Sequence, residues 1–275
     1  MSRQGQFYCL EAQTGKVVWS KDFKQDFGGE VPTWGFAGSP LIANDWVLSE
    51  TGGKGASVAA FDKVTGQVVW KQGDEPAGYA SLIAFNNGGE RCLAQFGKEN
   101  IIGHRLKDGA ELWRFSWKTS YGVNAATPII EGDQMFLSSG YGYGCAVLKI
   151  SANGAKEVWR NKSMRNHVNS CVLVDGYLFG YDEGELKCLD WKSGEVKWAT
   201  KAYGKGSVTS ADHKLILYGQ TGQLGLAEAS PGAFKEICQF QALPGKDTWA
   251  PPVLANGRIY VRSLEKMAAF DVKAN

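Results

Sequence analysis

Apolar and polar residues alternate in short bursts along this chain, most clearly over 175–198. Three alternating segments, 177–181, 186–190 and 196–198, are separated by the pairs Asp175-Gly176, Glu183-Gly184 and Ser193-Gly194. Period-two alternation between Gly-bearing turns predicts a β-meander. The end of this stretch recurs as a loose pattern: an apolar residue, an acidic one, two variable positions, Thr or Ser, Gly, three variable positions and Trp. Clear copies are Leu10 to Trp19, Phe61 to Trp70 and Leu189 to Trp198. Two worn copies, His104 to Trp113 and Leu148 to Trp159, keep the Gly and Trp, the second with one extra residue. A sixth, Leu226 to Cys238, has lost its Trp, and a seventh begins at Ala269-Phe270-Asp271.

The repeat glycines Gly15, Gly66, Gly109, Gly154, Gly194 and Gly232 are spaced by 51, 43, 45, 40 and 38 residues. Four short strands with their turns need about 40 residues, the length of a propeller blade. Period-3.6 stripes, which a helical repeat would show, are absent. Each interval supplies the other strands: a small or Pro-bearing start (Ser39-Pro40, Thr127-Pro128, Pro251-Pro252), a polar turn (Asn44-Asp45, Asp175-Gly176, Asn256-Gly257) and a second apolar run. The repeat Gly is expected at a positive φ in the hairpin between the third and outer strands. The repeat tryptophans Trp19, Trp70, Trp113, Trp159 and Trp198 are expected to cover the gaps between neighbouring blades.

The predicted fold is therefore all-β, a β-propeller of four-stranded antiparallel blades forming a single domain over 1–275. Strand counting gives five complete blades, two strands of a first blade and three of a last, so the third strand occurs at both ends. Either 7–11 pairs outside a six-blade ring, or the chain is a fragment of a larger ring. The expectation favours the fragment, a truncated eight-bladed propeller with open strand edges near 7–11 and 267–271 that invite self-association.

Composition narrows the function classes. Glycine numbers 35 of 275 residues, about twice ordinary usage, which suits many tight turns. Lys plus Arg number 30 against 28 Asp plus Glu without long runs, so charge points to neither nucleic acid nor an anionic membrane. No apolar stretch reaches the ~18 residues of a membrane helix, and residues 1–6 do not form an export signal. The six cysteines (9, 92, 145, 171, 188 and 238) show neither C-x-x-C nor adjacent spacing and read as small buried thiols, not zinc or redox sites.

At Phe61 to Trp70 and Leu189 to Trp198 the chain resembles the pyrroloquinoline-quinone-like (PQQ-like) β-propeller repeat, shared by quinoprotein alcohol dehydrogenases and BamB-like assembly lipoproteins. Within that superfamily it is most similar to bacterial secreted PQQ-like repeat proteins, through 26–35, 74–81, 138–146 and 166–169. The resemblance covers nearly the whole chain and implies an extracytoplasmic, periplasmic or secreted, module. Its repeat specifies fold far better than function. Quinoproteins of this kind use a calcium-held quinone, an Asp base and, in many, a pair of adjacent cysteines. No Cys-Cys pair exists here, and Asp182-Glu-Gly-Glu185 and Asp74-Glu75 have ordinary turn spacing, not that of a calcium loop.

No catalytic or metal-ligating set emerges. His104 stands at an apolar strand position and His213 in a turn, three His without a nucleophile partner give no triad, and Gly140-Tyr-Gly-Tyr-Gly144 precedes a strand where a phosphate loop needs a helix. Residues before each inner strand should gather at one end of the propeller channel. They are Trp34, Phe36, Tyr79, Asn124, Asn166, His167, Asn169, Lys205 and Trp249. Aromatic, amide and imidazole groups suit a sugar or an extended peptide; the plainer reading has the two tryptophans plugging the channel and His167 capping a turn. The function expected is a non-catalytic binding or scaffolding module for a protein, peptide or glycan, without a cofactor. The alternative is a quinoprotein-like dehydrogenase using PQQ and calcium.

Overall fold

Residues 1–152, 154–246 and 248–273 are described by a computed structural model of the protein. The described residues form 25 strands in seven antiparallel sheets of consecutive strands. The first sheet pairs Gln6–Leu10 with Val17–Asp22. Five four-stranded sheets follow, over 41–72, 83–116, 129–161, 172–200 and 206–241. The last has three strands, Val253–Ala255, Arg258–Arg262 and Met267–Asp271. This is the β-propeller read from the repeat, and the described sheets of two, four and three strands follow in an order consistent with that reading.

Two compact units divide the chain: 1–136 with 148–158, and 137–147 with 159–275. In the first, Phe7, Phe23, Phe27, Phe36 and Phe61 form one core, and Leu48, Val58, Trp70, Leu82 and Leu93 another. In the second, Phe179, Leu186, Cys188, Leu215 and Leu217 pack together, as do Ile216, Tyr218, Leu224, Ile259 and Val261.

The repeat motif closes the same hairpin in copy after copy. The amide of Gly66 donates to Asp62 O (2.9 Å) and that of Asp62 to Gln67 O (2.8 Å); Gly194, Asp190 and Glu195 repeat this at 2.9 Å for both bonds. Such a loop needs a left-handed residue, and Gly15, Gly66, Gly109 and Gly194 have φ of 70–73°. Asp62 Oδ1 accepts from the amides of Val64 and Thr65 and from the Thr65 hydroxyl, and these bonds, the Thr65 amide foremost, hold its carboxyl below the usual range. The residue paired with the repeat Trp is small in four copies: Cys9 with Trp19, Ala60 with Trp70, Gly103 with Trp113 and Cys188 with Trp198.

Four of the five repeat tryptophans donate to the next repeat. Trp19 Nε1 donates to Lys63 O at 3.2 Å, Trp70 to Leu106 O at 3.1 Å, Trp159 to Trp191 O at 3.0 Å and Trp198 to Ser230 O at 2.7 Å. The ring covers the next repeat's glycine, so a Cβ on Gly66, Gly109 or Gly194 would lie 2.5–2.8 Å from the indole. The worn copies depart where the sequence does. Gly154, in the copy with the extra residue, has φ of 122°, and Trp113 Nε1 finds no hydrogen-bond partner among the described residues.

Two sequence expectations change. A short α-helix, Phe23–Phe27, was not legible: Asp22 caps it by accepting from the amides of Lys24 and Gln25, Gly28 ends it at φ 68°, and Phe23 and Phe27 are buried. Cys238 is exposed on an outer strand, not buried; Cys9 is half-buried and the other four cysteines are buried. Burial pushes the Cys145 and Cys188 thiols up to about 12, so these behave as packing groups. Among the described residues, no helix is long and apolar enough to cross a membrane.

Candidate functional site

The nine loop residues singled out by the sequence fall into two clusters, one in each unit. In the first unit, Trp34 is 55% exposed and meets Tyr79 edge to face, centroids 5.8 Å apart. The Tyr79 amide donates to Asn124 O at 3.0 Å. Asn124 itself is buried, its Nδ2 donating to Gly97 O (2.9 Å) and Lys98 O (3.1 Å), so it ties two loops together. Phe36 is also buried, edge-on to Phe23 at 5.4 Å and pressed over Gly5. Trp34 is the exposed member of this cluster, with Tyr79 half-buried against it.

In the second unit, a buried carboxylate anchors the loop. Asp182 Oδ1 accepts from the Arg165 amide (2.8 Å) and Nε (2.6 Å), and Oδ2 from Arg165 Nη2 (2.8 Å) and from Lys187 Nζ. Burial alone would raise this carboxyl; the bonds from Arg165 and Lys187 outweigh it and hold the group below its ordinary value. Asn166 is the next pin. It is buried, donates from Nδ2 to Tyr181 O (3.1 Å) and accepts from the Cys171 thiol at Oδ1 (3.2 Å).

Beyond these pins, His167, Asn169, Tyr181, Glu183, Lys205 and Trp249 line a cleft with an internal space of about 20 Å³. His167 is half-buried and meets Tyr141 edge to face at 4.7 Å. Burial, then the nearby Lys205 ammonium, lowers its pKa, so the imidazole is neutral at pH 7. Asn169 Nδ2 donates to Gly206 O at 2.7 Å. Gly206 makes room for Tyr181, since a Cβ there would lie 2.7 Å from the ring and 2.9 Å from the hydroxyl. That hydroxyl is buried without a hydrogen-bond partner among the described residues.

Sequence reading missed Tyr181 and Glu183. Tyr181 looked like one more strand residue, and Glu183 like part of the Asp-Glu-Gly turn. The sequence carried no signal for them: the left-handed φ of 55° at Glu183 belongs to the fold and not to the Asp-Glu-Gly pattern.

A calcium-held quinone finds no fitting donor set among the described residues. No three His, Cys, Asp or Glu side chains converge. The buried carboxylates are already engaged: Asp182 by two cations, and Glu75 by the amides of Glu99 and Asn100, Asn100 Nδ2 and Arg114. Glu50 bonds to Gln95, and desolvation raises its pKa to about 8.

The chain is similar to several known proteins. It is 25% identical over 158 residues to a putative dehydrogenase XoxF of Paracoccus denitrificans, a stretch that is 52% of this chain and 26% of that relative. It therefore spans about a quarter of that relative's length. Its fold matches BamB from Moraxella catarrhalis with a TM-score of 0.71 and 13% identity, covering 98% of this chain and 79% of that one. It also matches a europium-containing methanol dehydrogenase with a TM-score of 0.63 and 12% identity, covering 97% and 73%. A family model described as outer membrane protein assembly factor BamB matches residues 1–200, most of the chain, and the protein belongs to that family.

Proposed function

We propose that this chain is a non-catalytic binding and scaffolding propeller of a bacterial extracytoplasmic compartment. Its partner, a protein, peptide or glycan, is engaged by the loops that precede the inner strands. One observation carries this reading: repeated and unrepeated residues divide the labour. The repeat Asp, Thr, Gly and Trp are consumed in hairpins and blade contacts, whereas Trp34 and Tyr79 in one unit, and His167, Lys205 and Trp249 in the other, present unrepeated aromatic and polar groups outward. Membership of the assembly-factor family supports a docking role. The three-stranded last sheet, with Leu264 and Met267 largely exposed beside its final strand, supports self-association through that edge as well, which light scattering across concentrations checks.

Site-specific photo-crosslinking in the source envelope tests the reading. A crosslinker at Trp34 or Lys205 should capture a discrete partner that the same group at Val69, on an outer strand, does not; equal capture from all three positions overturns it. A second reading, a quinoprotein-like dehydrogenase, is favoured by the match to the putative dehydrogenase. Stoichiometric uptake of PQQ with calcium or a lanthanide would establish it in place of the first.

A further inference from the structure

We propose that the cleft framed by His167, Asn169, Tyr181, Glu183, Lys205 and Trp249 binds a neutral pyranose, stacked on Trp249 with one hydroxyl directed at Tyr181. The proposal rests on the loops being a binding surface and names the ligand class for one of them.

The Tyr181 hydroxyl is the first argument. It is the polar atom of a side chain only 4% exposed, in a residue that lines the cleft, and it has no partner among the described residues. Buried hydroxyls are paired in nearly all proteins, by protein, water or ligand. The space of about 20 Å³ holds one water. A ring hydroxyl has the size and the hydrogen-bonding capacity of that water and can replace it.

The walls supply the rest of a sugar site. Trp249, 45% exposed, offers an apolar ring face to the C–H face of a pyranose. Lys205 donates and Glu183 accepts; Asn169 commits its amide nitrogen to Gly206 O, leaving its oxygen as an acceptor. Neutral His167 can do either. The charges of Lys205 and Glu183 cancel, which disfavours uronates and sugar phosphates against neutral sugars.

The test is ligand-observed NMR with calorimetry on the full chain, using D-glucose, D-galactose, D-mannose and N-acetylglucosamine, their β-linked trimers, D-glucuronate and triglycine. Saturable binding of at least one neutral sugar is expected, with a Kd on the order of millimolar for so small a ligand. Equal affinity for monomer and trimer identifies the end of a glycan, and a preference for the monomer identifies free sugar; both support the proposal. Tyr181→Phe removes a hydroxyl with no protein partner among the described residues, so its melting temperature should match the parent while sugar affinity falls about 3- to 10-fold. Trp249→Ala, at an exposed position, should weaken binding by at least about 10-fold. The proposal is overturned by no saturable sugar binding at 20-fold the millimolar range, by affinity unchanged in both variants, or by preference for glucuronate or triglycine. A null sugar screen alongside positive crosslinking at Lys205 sinks this inference alone, whereas PQQ uptake sinks the non-catalytic reading alone.

Discussion

The indole of Trp70 lies directly on Gly109 of the following repeat, so close that a Cβ on Gly109 would come within 2.5 Å of the ring, while Trp70 Nε1 donates to Leu106 O three residues earlier. Ring, glycine and carbonyl form one joint between successive blades, and Gly109 also sits at φ 73°.

Gly109→Ala should therefore be costly twice over, through the clash and through the left-handed backbone. Its loss is expected at about 2–4 kcal/mol by urea unfolding. Gly232, in the copy without a Trp, has no positive φ, and its nearest neighbour atom would be 3.7 Å away. Gly232→Ala should change stability by less than about 0.5 kcal/mol. Equal effects at the two sites would show that the joint is not what the repeat glycine serves.

The same joint predicts a difference between two tryptophans. Trp70→Phe loses a bond to Leu106 O, while Trp113→Phe loses none, because the Trp113 nitrogen is already unpartnered among the described residues. Both substitutions remove the same ring volume from buried sites. Trp70→Phe should be the more destabilising by about 1 kcal/mol, measured as the difference between the two unfolding free energies. A larger loss at Trp113 would contradict the role given to the indole N–H.

These joints explain how much of the molecule was legible. The pattern from Leu189 to Trp198 is dictated by a left-handed Gly, a turn-capping Asp and Ser, and a Trp over its neighbour, all local requirements that write themselves into sequence at fixed spacing. Strand number and order followed from it. The site was only half legible, because being near the start of an inner strand does not say which way a side chain turns. Phe36, Asn124 and Asn166 point into packing and hydrogen bonds, whereas Trp34 and Trp249 point outward. Tyr181 joined the cleft through a glycine 25 residues away, Gly206, a tertiary relation that leaves no local trace. The helix Phe23–Phe27 is too short to show periodicity, and only its cap residues Asp22 and Gly28 hinted at it.

Glu50 gives the protein a pH dependence of stability. It is buried beside Gln95, whose Nε2 donates to Glu50 Oε1 (2.8 Å) and to Ser57 Oγ (2.7 Å). Desolvation raises its pKa from 4.5 to about 8. A carboxyl with a raised folded pKa keeps in the native state a proton that the unfolded chain has released, so its contribution is complete below about 4.5 and is lost as pH rises towards 8. His104, on the other side of Gln95 and lowered in pKa by burial, acts in the opposite sense below about pH 6.5. Between pH 6.5 and 8 the unfolding free energy should fall with a slope of at most about 1.4 kcal/mol per pH unit. Glu50→Gln should flatten that slope; a variant as steep as the parent would assign the dependence elsewhere.

Asp182 works with the opposite sign and holds the candidate cleft in place. Its carboxylate is fully buried between Arg165 and Lys187, and its pKa is lowered by bonds from both after burial has been overcome. A depressed carboxyl stabilises the fold above its unfolded pKa, about 3.9, and that contribution disappears as pH falls through the folded value. Asp182→Asn keeps the shape but leaves two cations facing an uncharged amide, and is expected to cost about 3–5 kcal/mol near neutral pH, with a shallower loss of stability below pH 4 than the parent shows. Arg165→Ala keeps the Asp182–Lys187 pair and should cost less overall. It nevertheless frees the segment carrying Asn166, His167 and Asn169, so amide hydrogen exchange over 165–169 should accelerate while exchange in the sheet over 206–241 stays unchanged. Unaltered exchange over 165–169 would mean that the loop is held by Asn166, through Tyr181 O and the Cys171 thiol, and by Asn169 on Gly206 O, and that the buried carboxylate serves the blade and not the cleft.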